Sequence, residues 1–179
     1  ELLHRTLQRF DEYLWKTRDS DGDGCLETWC KYDTGEDNAM RYMDAPDAWE
    51  EETPPKGCEA VPIASMDVMS YSYSIDPQPA PLPHSQPHNQ LHSVLAEICR
   101  IAGKEGEAEQ WEEKSRQVLR KMKDYLWDDE KGAYFDRDKH HKQMPVLIHN
   151  TLRTMYWGSI TQEMADRFVK EHLLNPNEF

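Results

Sequence analysis

The chain has 179 residues, 37% of them hydrophobic, with 6 Trp, 8 Tyr and 4 Phe, which is enough for one domain, or part of one, with a real core. Its formal net charge of -13 argues against a nucleic-acid backbone or an anionic membrane as partner and is compatible with a neutral ligand such as a sugar. No apolar run approaches the length of a transmembrane segment, and no signal peptide is visible, so compartment is not specified. The four cysteines, Cys25, Cys30, Cys58 and Cys99, fit no common zinc spacing. They read either as buried free thiols or as a disulfide among the first three.

In chain order, Leu3, Leu7, Phe10 and Leu14 recur at helical spacing and predict an amphipathic helix over residues 1 to 17. RDSDGDGCLE is dense in turn formers and opens a long polar loop to about residue 60, kept irregular by Pro54, Pro55 and Gly57. In ASMDVMSYSYSI, residues 64 to 75, the alternation of Ser with Tyr favours strand on pattern alone, with a helix start as the other reading. DPQPAPLPHSQPH has five prolines in thirteen residues and predicts an extended excursion.

Residues 89 to 102 return to helix, with Leu91, Val94, Leu95, Ile98 and Ala102 on one face and Gly103 as the stop. The clearest helix spans 106 to 127, aligned on Ala108, Trp111, Val118, Leu119, Met122 and Leu126. DDEKGAYFDRD predicts a tight turn or hairpin, and 145 to 156 a short helix. Thr161 caps a last helix that buries Met164, Ala165, Phe168, Val169 and His172 and stops at Asn175 and Pro176. The fold class is therefore all-α, with antiparallel helix pairs that either curl into a ring or form part of one. Both chain ends fall abruptly inside structured patterns, so a longer domain truncated at both ends is expected.

The stretch KYDTGEDNAMRY places Asp33, Glu36 and Asp37 together, with Arg41 just beyond. Adjacent carboxylates repel, which raises the pKa of the less solvated one, and a carboxyl kept protonated can give a proton to a leaving oxygen. Arg41 can orient an oxygen-rich ligand by bidentate hydrogen bonds, and Gly35 allows a positive φ. Trp29, Tyr32 and Tyr42 flank the run with faces that suit a sugar ring. The blander reading is a solvated acidic loop.

Asp19, Asp21, Asp23 and Gly24 match the first half of a calcium loop. Its twelfth position is Cys30 rather than Glu, with Glu27 as a partial substitute; a plain Asp/Gly turn is the other reading. His84, His88 and His92 are spaced by four, but Pro87 spoils a shared helical face. Trp157, before Gly158, reads as core or as a sugar-stacking surface.

The run from Thr34 to Arg41, T-G-E-D-N-A-M-R, resembles the G-x-D-[DN]-x-x-R signature of glycoside hydrolase family 63, the processing α-glucosidases. It is also similar to the S-G-x-D-x-x-x-R run of the family 37 trehalases. RDSDGDGCLE, SMDVMSYSY, the helix-plus-hairpin EAEQWEEKSRQVLRKMKDYLWDDEKGAYFDRD and the ending GSITQEMADRFVKEHLLNPNEF resemble further segments of these enzymes in the same order. The resemblance implies part of an (α/α)6 toroid and an inverting hydrolase of α-glucosidic bonds. It implies Asp37 as general acid, Arg41 and Asp67 among the substrate-binding residues, and Gly35 as the turn.

Glu36 and Met69 depart from the family's apolar residue and Asn, and the proline-rich stretch interrupts what resembles one helix elsewhere. The second carboxyl of an inverting pair is expected beyond Phe179, so this chain would carry the general-acid half and be inactive alone. The expected partners are an oligosaccharide or disaccharide substrate and the remainder of the catalytic domain. No cofactor is required, with Ca2+ at Asp19, Asp21, Asp23 and Glu27 as an option. A trehalase of the same clan and a non-catalytic calcium- or carbohydrate-binding module are the alternatives.

Overall fold

A computed structural model describes residues 2–35, 39–74 and 94–178. Asp37, the proline-rich stretch and His84, His88 and His92 lie outside the described residues. The described chain is all-α, with six helices and two small antiparallel strand pairs. The helices are α1 (Leu2–Thr17), α2 (Met66–Ser74), α3 (Val94–Ile101), α4 (Glu105–Lys121), α5 (Asn150–Tyr156) and α6 (Gln162–Phe168). They pack as a relay: α1 on α3, α3 on α4, α4 on α2 and α2 on α5, an arrangement consistent with part of an (α/α)6 toroid. Among the described residues, no helix is long and apolar enough to cross a membrane.

The core forms where α2 meets α4 and its continuation. Met66, Met69 and Tyr73 interlock with Val118, Met122, Leu126, Tyr134 and Met164. Each such side chain contributes about 1.5–3 kcal/mol by leaving water. The strand that the Ser–Tyr alternation favours within residues 64 to 75 gives way to the other reading, a helix, over Met66–Ser74. The positions buried there include Met66, Asp67, Met69, Ser70 and Tyr73; Met66, Met69, Ser70 and Tyr73 recur at the three- and four-residue spacing that a helix presents on one face.

α1 also differs from its apolar stripe. Leu3 is exposed and Phe10 is 38% exposed, whereas His4 and Asp11 are buried. Two polar contacts set that orientation: His4 Nε2 lies 3.1 Å from Cys99 Sγ, and Asp11 pairs with Lys114 of α4. Phe10 and Leu14 of that stripe line a cleft.

Strand β1 (Glu27–Thr28) pairs with β2 (Ile63–Ala64), Glu27 opposite Ala64 and Thr28 opposite Ile63. Strand β3 (Trp127–Asp128) pairs with β4 (Ala133–Tyr134), closing the expected hairpin through Gly132 at φ +63°. Ala64 also bridges to Arg137, so the two small sheets meet at the start of α2. Thr161 caps α6 as expected, its hydroxyl accepting from the Met164 amide at 3.3 Å. All four cysteines are free thiols.

Candidate active site

Where the two sheets meet α2, three stretches distant in sequence supply charged groups to one buried cluster. Arg41 follows the acidic loop, Asp67 stands in the first turn of α2, and Asp136 follows β4. Arg41 is 1% exposed. It donates to Asp67 at 2.7 Å, Asp136 at 2.6 Å, Ser65 at 3.0 Å and the Thr34 hydroxyl at 3.1 Å. Asp136 also accepts from the Met66 amide at 2.9 Å, tying the N-terminus of α2 to the hairpin. Asp67 further accepts from Asn150 at 3.2 Å, from Arg153 at 3.4 Å and from Ser65.

The two carboxyls titrate in opposite directions. Burial alone would raise Asp67, but Arg41, Ser65 and Arg153 override it and hold it below the usual carboxylate range. Burial dominates at Asp136 and, helped by the Asp67 charge, raises it to about 6 despite Arg41. Arg41 with Ser65 and Arg153 thus outweighs the burial of Asp67, whereas Arg41 does not outweigh that of Asp136.

Asp67 joins this cluster to a cleft of about 460 Å³, whose lining it shares with Thr34 and Arg153. One wall is aromatic: Phe10 meets Tyr71 edge-on at 6.4 Å, Tyr71 meets Trp157 at 6.3 Å, and Trp157 meets Tyr156 at 4.7 Å. Tyr13 and Leu14 of α1 extend that side. The lining also carries polar groups, Arg18, Glu27, Asp33, Asp67 and Arg153. An apolar face beside convergent polar groups suits a pyranose, which has one face of C–H bonds and an equatorial ring of hydroxyls.

Glu27 accepts from the Trp29 indole at 2.8 Å and from the Ser20 hydroxyl at 3.0 Å, while its burial raises its pKa. Asp33 accepts from the Trp29 amide at 2.7 Å and from Arg18 at 3.3 Å.

The acidic loop is anchored at this cleft. Thr34 lies in the cleft wall. Its carbonyl accepts from Arg153 at 3.0 Å, and its hydroxyl lies 3.0 Å from the Tyr42 hydroxyl as well as on Arg41. Gly35 adopts φ +70°, the turn expected of it.

The expected site residues divide into groups. Asp67 and Trp157 line the cleft. Arg41 points into the protein and spends its donors on the buried cluster. Trp29 is fully buried, with the Arg18 guanidinium 4.2 Å over its ring. Tyr32 is 57% exposed and stands outside the cleft lining.

Among Asp19, Asp21, Asp23 and Glu27, Glu27 turns to Trp29 and Ser20, and Asp19 accepts from the Gly24 amide at 3.2 Å. Asp21 and Asp23 instead converge with His141. Sequence reasoning missed Asp136, Arg153, Phe10 and Tyr71; Phe10 was visible only as one member of the apolar stripe of α1.

Aromatic rings, convergent polar groups and the anchored start of the acidic loop thus share one cleft. The family model for the mannosylglycerate hydrolase MGH1-like glycoside hydrolase domain matches residues 1–179, and the chain belongs to that family of glycoside hydrolases.

Proposed function

We propose that this chain contributes the general-acid side of an inverting glycosidase site acting on α-glucosidic bonds, with Asp37 as the acid. The observation that carries the reading is the anchoring of the acidic loop: Thr34 sits in the cleft wall and Arg41 is locked to Asp67 and Asp136. Asp37 lies three residues after the first anchor and four before the second.

On this reading Arg41 positions the acid loop from below, and the row Phe10, Tyr71 and Trp157 receives the apolar sugar face. The described carboxylates of the cleft are committed to protein donors: Glu27 to Ser20 and Trp29, Asp33 to Trp29 and Arg18, Asp67 to Arg41. A base must accept a proton from water across a gap of roughly 6.5–9.5 Å from the acid, and we assign it to the remainder of the catalytic domain, beyond residue 179.

A second reading has one observation in its favour. Arg18 and Arg153 both reach the cleft wall, and the matched family takes its name from a hydrolase of mannosylglycerate, a glycoside with a carboxylate in its aglycone. Trehalose and neutral α-glucosides carry no group that needs a cation. Proton NMR of the complete enzyme acting on an α-linked glucose disaccharide, trehalose and mannosylglycerate separates the readings. The proposal predicts turnover of a neutral α-glucoside with the β-anomer released first. Release of the α-anomer first would contradict inversion, and turnover of mannosylglycerate alone would replace the α-glucosidic assignment with the second reading.

A further inference from the structure

A second cluster lies away from the cleft, where α1 crosses α3 and α4. Three helices each contribute one residue: His4 from the first turn of α1, Cys99 from α3 and Glu107 from the first turn of α4. Their potential ligand atoms face one another. His4 Nε2 is 3.1 Å from Cys99 Sγ and 3.8 Å from Glu107 Oε2, and Cys99 Sγ is 4.0 Å from the same oxygen. In a tetrahedral zinc site, with bonds of about 2.0–2.3 Å, N, S and O ligands stand roughly 3.3–3.6 Å apart. The triangle is therefore already close to the size a metal imposes.

His4 and Cys99 are buried, 8% and 0% exposed, and Ala96, Ala108 and Trp111 pack around the thiol. Glu107 lies at the edge of a groove of about 860 Å³ that also reaches His4, so one side of the triangle opens to solvent. Lys104 Nζ donates to both carboxylate oxygens, Oε1 at 2.8 Å and Oε2 at 3.1 Å, so on metal binding Oε2 exchanges the lysine for the cation while Oε1 keeps it.

We propose that His4, Cys99 and Glu107 form a binding site for a borderline-soft divalent cation of the zinc class, fixing α1 to α3 and α4. The donor set is one imidazole nitrogen, one sulfur and one carboxylate oxygen, a mixture that suits Zn2+ or Co2+ and disfavours the hard, oxygen-seeking Ca2+ and Mg2+. The fourth position, on the groove side, takes a water. On binding, the Cys99 S–H bond breaks heterolytically, the sulfur pair forms the metal bond, and the proton passes to solvent. Nothing in the sequence flagged this set, because its members are separated by 95 and 8 residues and match no linear zinc pattern.

The test is titration of the metal-free chain with Co2+, read by the near-ultraviolet thiolate-to-cobalt charge-transfer absorbance. The expected result is a band that saturates at one equivalent, is displaced by Zn2+, and is absent in Cys99→Ser. Glu107 is half-exposed, so Glu107→Gln keeps the fold intact. That variant should weaken Co2+ binding by at least about tenfold, the loss seen even for outer-shell groups. Absence of the band in the folded wild-type chain overturns the proposal. So does a band of unchanged affinity in Glu107→Gln, or one retained in Cys99→Ser.

Discussion

The electrostatic arrangement around Arg41 makes its two carboxylate partners unequal. Asp67 is held in its ionised form by several donors, whereas Asp136, raised to about 6, carries a charge the interior only partly supports. A carboxyl whose folded pKa exceeds its unfolded value of 3.8 adds stability that is full below 3.8 and is lost as pH rises through the folded value. Asp136 should therefore make the wild type lose stability between roughly pH 4 and 6 relative to Asp136→Asn, which has no charge to ionise there. The stabilisation from Asp67 has the opposite sign: it is present above its unfolded value and lost as pH falls through a lower one. Asp67→Asn should cost about 3 kcal/mol at pH 7, because it takes one of two counter-charges from a buried guanidinium. Denaturant midpoints of the wild type and both variants across pH 4 to 8 check this. A wild-type curve parallel to that of Asp136→Asn would contradict the assignment.

Secondary elements were legible where local chemistry decides them. α4 follows from an uninterrupted helical period, the hairpin from an Asp/Gly turn, and α6 from its Thr161 cap. Gly132 illustrates how local these signals are. It stands at φ +63°, and a Cβ there would come within 2.5 Å of the Glu171 carboxylate and 2.9 Å of the Arg167 guanidinium. Gly132→Ala should cost about 1–2 kcal/mol from the left-handed backbone alone, since the facing side chains are flexible. Thermal or denaturant unfolding reads the loss, and an unchanged midpoint would contradict it. Elements were misread where tertiary partners override pattern. The Ser–Tyr alternation of α2 suggests a strand until Met66, Met69 and Tyr73 find the side chains of α4. Phe10 and Leu14 of the apolar stripe of α1 face a cleft because His4 and Asp11 are taken by Cys99 and Lys114.

At the scale of the whole molecule, the all-α architecture was readable from successive helical periods, but the site was readable only in part. The acidic loop announces itself by composition. What holds it does not, since Asp136 is 95 residues from Arg41 and carries no local mark. The aromatic wall is likewise assembled from α1, α2 and the end of α5, whose rings look ordinary one by one. Belonging to a glycoside hydrolase family agrees with that cleft and gives its carbohydrate reading a chemical purpose.

The central claim is that the carboxyl at position 37 protonates the departing glycosidic oxygen. The most direct measurement is turnover and substrate affinity of Asp37→Asn in the complete enzyme. Removing a general acid should lower kcat by about 10²–10⁴-fold while leaving substrate binding within a few-fold of wild type. An activated substrate whose leaving group needs no proton, such as a glycosyl fluoride, should recover much of the loss. Near-normal turnover of an unactivated α-glucoside by that variant would contradict the account.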